Sequence, residues 1–269
     1  MKKYIYMTVL VAGLNVTAAR AHEVHHAGNV LHFVHPLVAE SPTPDTKIRV
    51  DYQYRNIPGE EGEGGARVST VSIEGEYAFD QSLGFEIGIP YSVRDLKGGE
   101  GKESHFDNIE VALKYANFTF ANSGLLVGGG VEVGLPTGST RREIGSSHIV
   151  SVEPFIDFGY QFDRFEAVGF LKSGFLLNEH ADDKTDLELG WNLSLLHKAT
   201  DSLQLLIEAD GERVFGGAED GHNVVNLTPG IKYSLPHRPD FSFGAGVSFP
   251  VSDDKEFYAM PFATVLYHF

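Results

Sequence analysis

The sequence predicts an all-β fold, namely a transmembrane antiparallel up-and-down β-barrel of about twelve strands. Residues 108–115 and 187–195 alternate strictly between apolar and polar side chains, as strands with one apolar and one polar face do. Short turns alternate along the chain with longer, glycine-rich connectors. The alternation continues through Val265 and Tyr267 to the terminal Phe269. Together these features indicate a barrel of the bacterial outer membrane.

The chain begins with the pattern of a secretory signal peptide, residues 1–21. Lys2 and Lys3 precede an apolar run over residues 4–14, and residues 19–21 form a small-x-small cleavage site. An inner-membrane anchor needs about 20 apolar residues, so the run is too short for one. We expect cleavage after Ala21, which leaves a periplasmic arm over residues 22–45 and a barrel over residues 46–269.

The composition narrows the classes of function. The formal net charge of −16 argues against nucleic acid as a partner. The chain has no cysteine, so neither disulfides nor thiol chemistry are expected. Its 30 glycines and its many aromatic residues, including 19 Phe and 11 Tyr, suit a closed membrane barrel with aromatic girdles. No cofactor is expected.

Period-two alternation, bounded by turn residues, places the strands in order. They are predicted at 46–55, 67–79, 85–94, 106–118, 124–135, 148–162, 165–176, 185–197, 203–214, 223–234, 241–250 and 257–269. The tight turns between them are 80–83, 121–124, 163–164, 200–202 and 236–240, and the long connectors are 58–65, 97–104, 137–147, 178–184 and 216–221. Outer-membrane barrels have short periplasmic turns, and an even strand count puts both termini in the periplasm. The competing structure is a soluble β-sandwich or lipocalin-like barrel.

Charged residues occupy the polar faces of the strands and are predicted to point into the lumen. The predicted luminal acids are Asp51, Glu74, Glu76, Glu86, Glu110, Glu132, Glu153, Asp157, Glu166, Glu188, Glu208, Asp210 and Glu212. The predicted luminal bases are Arg49, Arg55, Lys114, Lys172 and Lys232. A hydrated lumen rich in carboxylates favours cations, whereas a packed, salt-bridged interior conducts nothing.

Five histidines lie close together after the expected cleavage site: His22, His25, His26, His32 and His35. Neutral imidazole is the commonest metal ligand, and histidine-rich tracts capture Cu²⁺, Ni²⁺ or Zn²⁺. The spacing matches no closed structural zinc motif. The alternative is a flexible arm that hangs in the periplasm or docks into the barrel mouth through Val30, Leu31, Phe33 and Val34.

Some candidate catalytic residues lie near the predicted outer rim. Ser146, Ser147 and His148 are adjacent, and His105, His180 and His222 fall in other loops. A catalytic pair needs contact and an orienting third group, which the sequence does not indicate, so no enzymatic activity is predicted.

Aromatic residues at strand ends are predicted to form interfacial girdles. They are Tyr91, Tyr115, Phe118, Phe158, Tyr160, Phe162, Tyr233, Tyr258 and Tyr267. Phe170, Phe175, Phe262 and Leu206 break the alternation and are expected to point inward. Val265, Tyr267 and Phe269 suit the C-terminal signal of outer-membrane proteins, so the barrel-assembly machinery is an expected partner, alongside lipid and lipopolysaccharide.

Residues 35–46, HPLVAESPTPDT, resemble the start of outer-membrane proteins in the "MetA-pathway of phenol degradation" family. The segments FEIGIP at 85–90, IEVALKY at 109–115 and GLPTG at 134–138 resemble it too. The resemblance implies an outer-membrane barrel with a transport function and supplies no catalytic residues. The predicted function is passive passage of small solutes, including small aromatic or hydrophobic compounds. One alternative is a metal-related role of the N-terminal histidines, either Cu or Zn binding or an accessory role in efflux. The other alternative is a closed structural barrel.

Overall fold

The computed structural model describes residues 31–59, 65–97, 101–177, 187–217 and 219–269. In these ranges Leu31–Phe269 forms one compact unit built from thirteen β-strands and two short 3₁₀ helices. The strands are β1 Lys47–Ile57, β2 Ala66–Ala78, β3 Leu83–Leu96, β4 Lys102–Phe106, β5 Ile109–Asn117, β6 Leu125–Leu135, β7 Ser151–Phe162, β8 Phe165–Leu176, β9 Leu187–Lys198, β10 Leu203–Phe215, β11 Asn223–Leu235, β12 Arg238–Pro250 and β13 Met260–His268. The expected signal peptide, and His22, His25 and His26, lie outside the described residues.

The strands close into a barrel because the first strand pairs with the last. β1 is hydrogen-bonded to β2 on one side and to β13 on the other, and every pairing in the sheet is antiparallel. Among the described residues every strand except β4 is paired on both of its edges, and β4 is paired on one side, with β3. A strand in lipid requires such pairing. The predicted antiparallel up-and-down barrel is therefore confirmed. No helix among the described residues is long and apolar enough to cross a bilayer.

β4 and β5 are two halves of one transmembrane strand, so the barrel wall has twelve strands. β3 pairs with β4 through its second half and with β5 through its first half. The pairing shifts by one residue between Tyr91↔Phe106 and Gly88↔Glu110, which is a β-bulge opposite Pro90. Proline has no N–H to donate, so Pro90 cannot give the ladder a hydrogen bond at this point.

The ends of several strands differ from the prediction. β4 begins at Lys102 and pairs with β3, so the predicted long connector 97–104 is shorter. The predicted turn 236–240 is also shorter, because β12 begins at Arg238. Conversely, β13 begins only at Met260, which lengthens the connector before it. The charged and proline residues at the start of β4 and β12 do not follow the apolar–polar alternation, so the pattern does not predict strand there. These residues are in strands because they pair with a neighbouring strand.

Apolar side chains cover the outside of the wall, and charged side chains lie inside it. Ile73 and Ile156 are 51% and 61% exposed, whereas Glu76 and Glu208 are 4% and 0% exposed. In a soluble protein this distribution would be inverted. The wall is therefore built to have lipid outside and polar groups inside.

The two ends of the barrel differ in their connectors. One end, which we name the short-turn end, has the turns 79–82, 118–124, 163–164, 199–202 and 236–237. Asp163 adopts a left-handed φ of 53° in its two-residue turn, a conformation that Asp tolerates. At the opposite, long-loop end lie longer connectors such as 136–150 and 251–259.

Candidate channel lumen

Residues 31–46, which we name the N-terminal segment, fold into the lumen. They contact inward side chains of strands around the whole circumference, including β1, β2, β8, β10 and β11. Phe33 and Leu37 are buried with inward apolar residues of the wall, among them Leu126, Val168 and Leu206. The docked form of the predicted arm is therefore the one in the structure for residues 31–45. The burial of Leu37 and Phe33 against these apolar residues removes their side chains from water, which favours the docked position.

Luminal charges hold the backbone of this segment. The Glu208 carboxylate accepts hydrogen bonds from the N–H groups of Leu37 at 2.7 Å, Val38 at 3.1 Å and Ala39 at 2.9 Å. The Lys232 ammonium donates to the carbonyl of His35 at 2.8 Å. These bonds satisfy polar groups of a stretch of backbone that lies outside the strands and bends at residues 37–39.

Two glycines on the wall make room for the segment. A Cβ on Gly159 would lie 2.7 Å from ring atoms of Phe33, and one on Gly244 would lie 2.3 Å from Leu37. Both distances are too short for a carbon–carbon contact. The short-turn half of the lumen is accordingly packed around the segment.

A dense network of charges lies against the segment on β1, β2, β3 and β5. Lys47 Nζ lies 2.8 Å from Glu74 and 3.0 Å from Glu76, and Lys114 Nζ lies 3.4 Å from Glu76 and 3.5 Å from Glu86. Side chains can stay charged in a buried position when ion pairs of this kind compensate for the loss of hydration. Lys47 was missed at the sequence level, although its parity with Arg49 indicates the same face.

A cluster of imidazoles and a carboxylate joins the segment to the end of β13. His32 Nε2 lies 2.9 Å and His35 Nε2 2.6 Å from the Asp45 carboxylate. The His268 ring is edge-on to the ring of His35, with centroids 5.4 Å apart. Lys47 Nζ lies 3.1 Å from Nδ1 of His35; since an ammonium only donates, the Nε2 of His35 carries the proton given to Asp45.

The pKa values of the groups in this segment follow from these contacts. Burial lowers the pKa of His35 well below its ordinary value, and the Lys47 ammonium adds to the effect. Burial tends to raise the pKa of Asp45, but the hydrogen bonds from His32 and His35 outweigh it and hold that pKa well below its usual range. Asp45 is therefore a carboxylate, and His35 is neutral, near neutral pH.

Beyond the segment, toward the long-loop end, lies a cavity of about 310 Å³. Its lining includes Phe170 and Val224 on one hand and the amides Asn192 and Asn226 on the other. Among the described residues, Lys172 is the one basic residue of the lining. Six carboxylates line the cavity as well: Glu40, Glu110, Glu132, Asp210, Glu212 and Glu256. The cavity is thus acidic, with an apolar patch.

Several of the luminal acids form no salt bridge with another described residue. Lys172 lies 3.5 Å from Glu132 and forms a closer ion pair with Glu153. Within the described ranges no salt bridge engages Glu110, Asp210, Glu212 or Glu188. Asn192 is only 8% exposed, and neither its Oδ1 nor its Nδ2 has a hydrogen-bond partner there. Such groups call for water or a polar solute.

Most of the other residues that were expected to point into the lumen do so. Asp157 is buried near Gly128 on the lumen side, while Phe170, Phe262 and Leu206 point inward as expected. The prediction for Phe175 was wrong: its side chain is 46% exposed on the outer face, because β8 keeps its alternation to the end. Phe155 was missed; it is inward and its ring packs on Phe170 at 5.3 Å.

The aromatic residues at the strand ends lie mainly on the outer face. Tyr115 and Tyr160 are exposed there, and Tyr258 is exposed in the connector before β13. Phe118 instead packs against the buried cluster around the segment. Tyr267 contacts Phe269 edge-on, with ring centroids 4.8 Å apart. Val265 and Phe269 are exposed on the same outer face.

The loop residues considered for catalysis make structural contacts. Ser146 Oγ accepts the backbone N–H groups of His148 and Ile149, which turns the chain. His148 and Ser147 both lie near the hydroxyl of Thr140, at 3.4 and 3.2 Å. His180 lies outside the described residues.

Solved structures share this fold at low sequence identity. An outer membrane channel of Pseudomonas putida F1 superimposes with a TM-score of 0.66 at 13% identity, covering 91% of this chain and 100% of its own. The NanC porin has a TM-score of 0.55 at 8% identity, with 83% and 98% covered. The CymD monoaromatic hydrocarbon channel has a TM-score of 0.50 at 9% identity, with 84% and 89% covered. These likenesses establish the outer-membrane barrel fold.

No curated protein matches the sequence. The model of one protein family, however, matches residues 62–259, which is most of the barrel wall. With the closed wall and the charged lumen in place, the match identifies the chain as a member of the family described as "Putative MetA-pathway of phenol degradation".

Proposed function

We propose that this protein is a passive outer-membrane channel for small solutes that prefers cations. The observation that carries the proposal is the acidic cavity inside the closed wall. Its carboxylates outnumber its one lysine, and Glu110, Asp210 and Glu212 lack salt bridges among the described residues. Carboxylates around a hydrated passage lower the energy of a cation and raise that of an anion. No step consumes energy.

The orientation in the membrane follows from the connectors. Twelve transmembrane strands return the chain to the side where it entered, and short turns face the periplasm in such barrels. Both termini are therefore periplasmic in this proposal, and the acidic cavity lies toward the cell exterior. Val265, Tyr267 and Phe269 serve the barrel-assembly machinery, and lipopolysaccharide surrounds the outer half of the wall.

Small aromatic compounds are the proposed solutes beyond simple ions. Phe170 and Val224 give the cavity an apolar side beside its carboxylates. The family description names phenol degradation, and a protein of similar fold is described as a monoaromatic hydrocarbon channel. The ring of an aromatic solute would pack on the apolar side of the cavity, and a positive or neutral polar group on that ring would interact with the carboxylates.

Planar-bilayer recordings of the folded protein test the proposal. We expect discrete conductance steps and a K⁺ over Cl⁻ preference, which should fall at least about threefold in the variant E110Q/D210N/E212Q because three luminal charges are lost. The matched control, E103Q/E143Q/E219Q, removes three exposed charges at the long-loop end, one from β4 and two from connectors, and should change the preference less. If neither the protein nor a variant that lacks the N-terminal segment shows any conductance, the proposal is contradicted and the closed structural barrel is favoured.

A further inference from the structure

We propose that His32, His35, Asp45 and His268 form a binding site for one divalent transition-metal ion, with Zn²⁺ as the reference ion. These four residues are the cluster that joins the N-terminal segment to β13 at the short-turn end. None of these four residues lines the acidic cavity, so the site is distinct from it. Three of its members lie within fifteen residues of one another, but the fourth lies at the far end of the chain.

The donor set suits such an ion. His35, Asp45 and His268 each offer one ligand atom, and these atoms lie within 4.8 Å of one another. His32 Nε2 is already 2.9 Å from the same carboxylate. Three imidazole nitrogens and one carboxylate oxygen are ligands that Zn²⁺ and Cu²⁺ prefer, whereas Ca²⁺ and Mg²⁺ prefer sets of oxygens.

The residues need to move only slightly to bind. Zinc bonds of about 2.0–2.2 Å in a tetrahedron place ligand atoms about 3.4 Å apart. The widest pair among His35, Asp45 and His268, which lie within 4.8 Å of one another, must therefore close by up to about 1.4 Å. His268 belongs to the last residues of β13, and the segment lacks a strand partner. Both can adjust without breaking the wall.

Binding replaces contacts that the cluster now makes. Coordination through Nε2 moves the proton of His35 to Nδ1, which then repels the Lys47 ammonium at 3.1 Å. Lys47 already contacts Glu74 at 2.8 Å and Glu76 at 3.0 Å, so it keeps two carboxylate partners when it turns away. The ion in turn replaces the two imidazole hydrogen bonds to Asp45 with direct bonds to both rings and the carboxylate.

A metal ion here would tie the segment to the barrel. The backbone N–H of Phe269 donates to the carbonyl of Thr46 at 3.0 Å, so the segment and the end of the chain are already neighbours. Ligands from both sides would cross-link the luminal segment to the last strand. We therefore expect the bound ion to slow any departure of the segment from the lumen.

Zn²⁺ binding to the folded protein in detergent tests the site. The measurement is made on the variant H22A/H25A/H26A, so that those histidines cannot contribute. We expect one Zn²⁺ per chain by calorimetry or equilibrium dialysis, and an affinity lower by about tenfold or more in H268A and D45A made in this background. H237A, which removes an exposed histidine at the same end, should bind as the background does.

A second measurement decides the result even if a cluster variant does not fold, as judged by its heat-modifiable migration on gels. Co²⁺ added to the background variant should give the intense visible absorption of a tetrahedral nitrogen–oxygen site. The proposal is overturned if the background variant binds no Zn²⁺, if folded H268A binds Zn²⁺ as tightly, or if Co²⁺ gives only the weak absorption of an octahedral, hydrated ion.

Discussion

At the scale of the residue, one buried carboxylate holds the N-terminal segment in the lumen. Glu208 is fully buried and accepts three consecutive backbone N–H groups, from Leu37 to Ala39. A carboxylate is a stronger acceptor than a neutral group. Its placement on β10 opposite the segment makes it the main polar anchor there.

Glu208→Ala should loosen the segment by about 2–3 kcal/mol, because three buried N–H groups lose a charged acceptor. Hydrogen exchange of the Leu37–Ala39 amides measures this, with an expected gain in rate of roughly 30- to 150-fold. Glu188→Gln is the matched control, since Glu188 lies in the lumen near the long-loop end. Equal exchange in the two variants would contradict the anchoring role.

At the scale of the element, the N-terminal segment is the part that fills the short-turn half of the barrel. Phe33, His35 and Leu37 are almost completely buried, so little space is left around them. The strands that surround them are held by their own ladders, which do not involve the segment. Wall and segment are therefore separable in principle.

Deleting residues 31–44 should leave a folded barrel and raise its single-channel conductance by at least about twofold, because water replaces the packed segment. Heat-modifiable migration on gels checks the fold, and bilayer recordings give the conductance. The unaltered protein and the charge variant E103Q/E143Q/E219Q serve as references. An unchanged conductance would mean that ions already bypass the segment.

At the scale of the whole molecule, stability depends on which side of the wall faces lipid. Ile73 is in the middle of β2, on the outer face, and pairs with Val50 and Ile89. Lys at such a midplane site should cost about 2–4 kcal/mol of the unfolding free energy in lipid, whereas near the interface it costs about 0–1 kcal/mol. Denaturant unfolding of Ile73→Lys and Ser69→Lys in vesicles compares the two depths; equal losses would contradict the outward placement.

The sequence alone predicts the wall. Side-chain alternation is local, since each residue's face depends only on its position along the strand, so Glu76, Lys114 and Glu208 could be assigned to one face. The same rule places Lys47 and Phe155 on the inner face, although the sequence prediction did not include them. Lys47 is next to the predicted arm, and Phe155 is apolar, whereas the prediction assigned charged side chains to the lumen. The boundaries of strands such as β4 and β12 depend on pairing with a neighbouring strand, so the alternation along the chain could not predict them.

The sequence by itself therefore determined an antiparallel membrane barrel with charged residues on one face and apolar residues on the other. Only the tertiary structure decided that residues 31–46 lie inside it, that Glu208 holds them, and that His268 meets His35. Those contacts join parts of the chain that are far apart in sequence. They form because β1 pairs with β13, which closes the barrel and brings the first and last strands of the chain together.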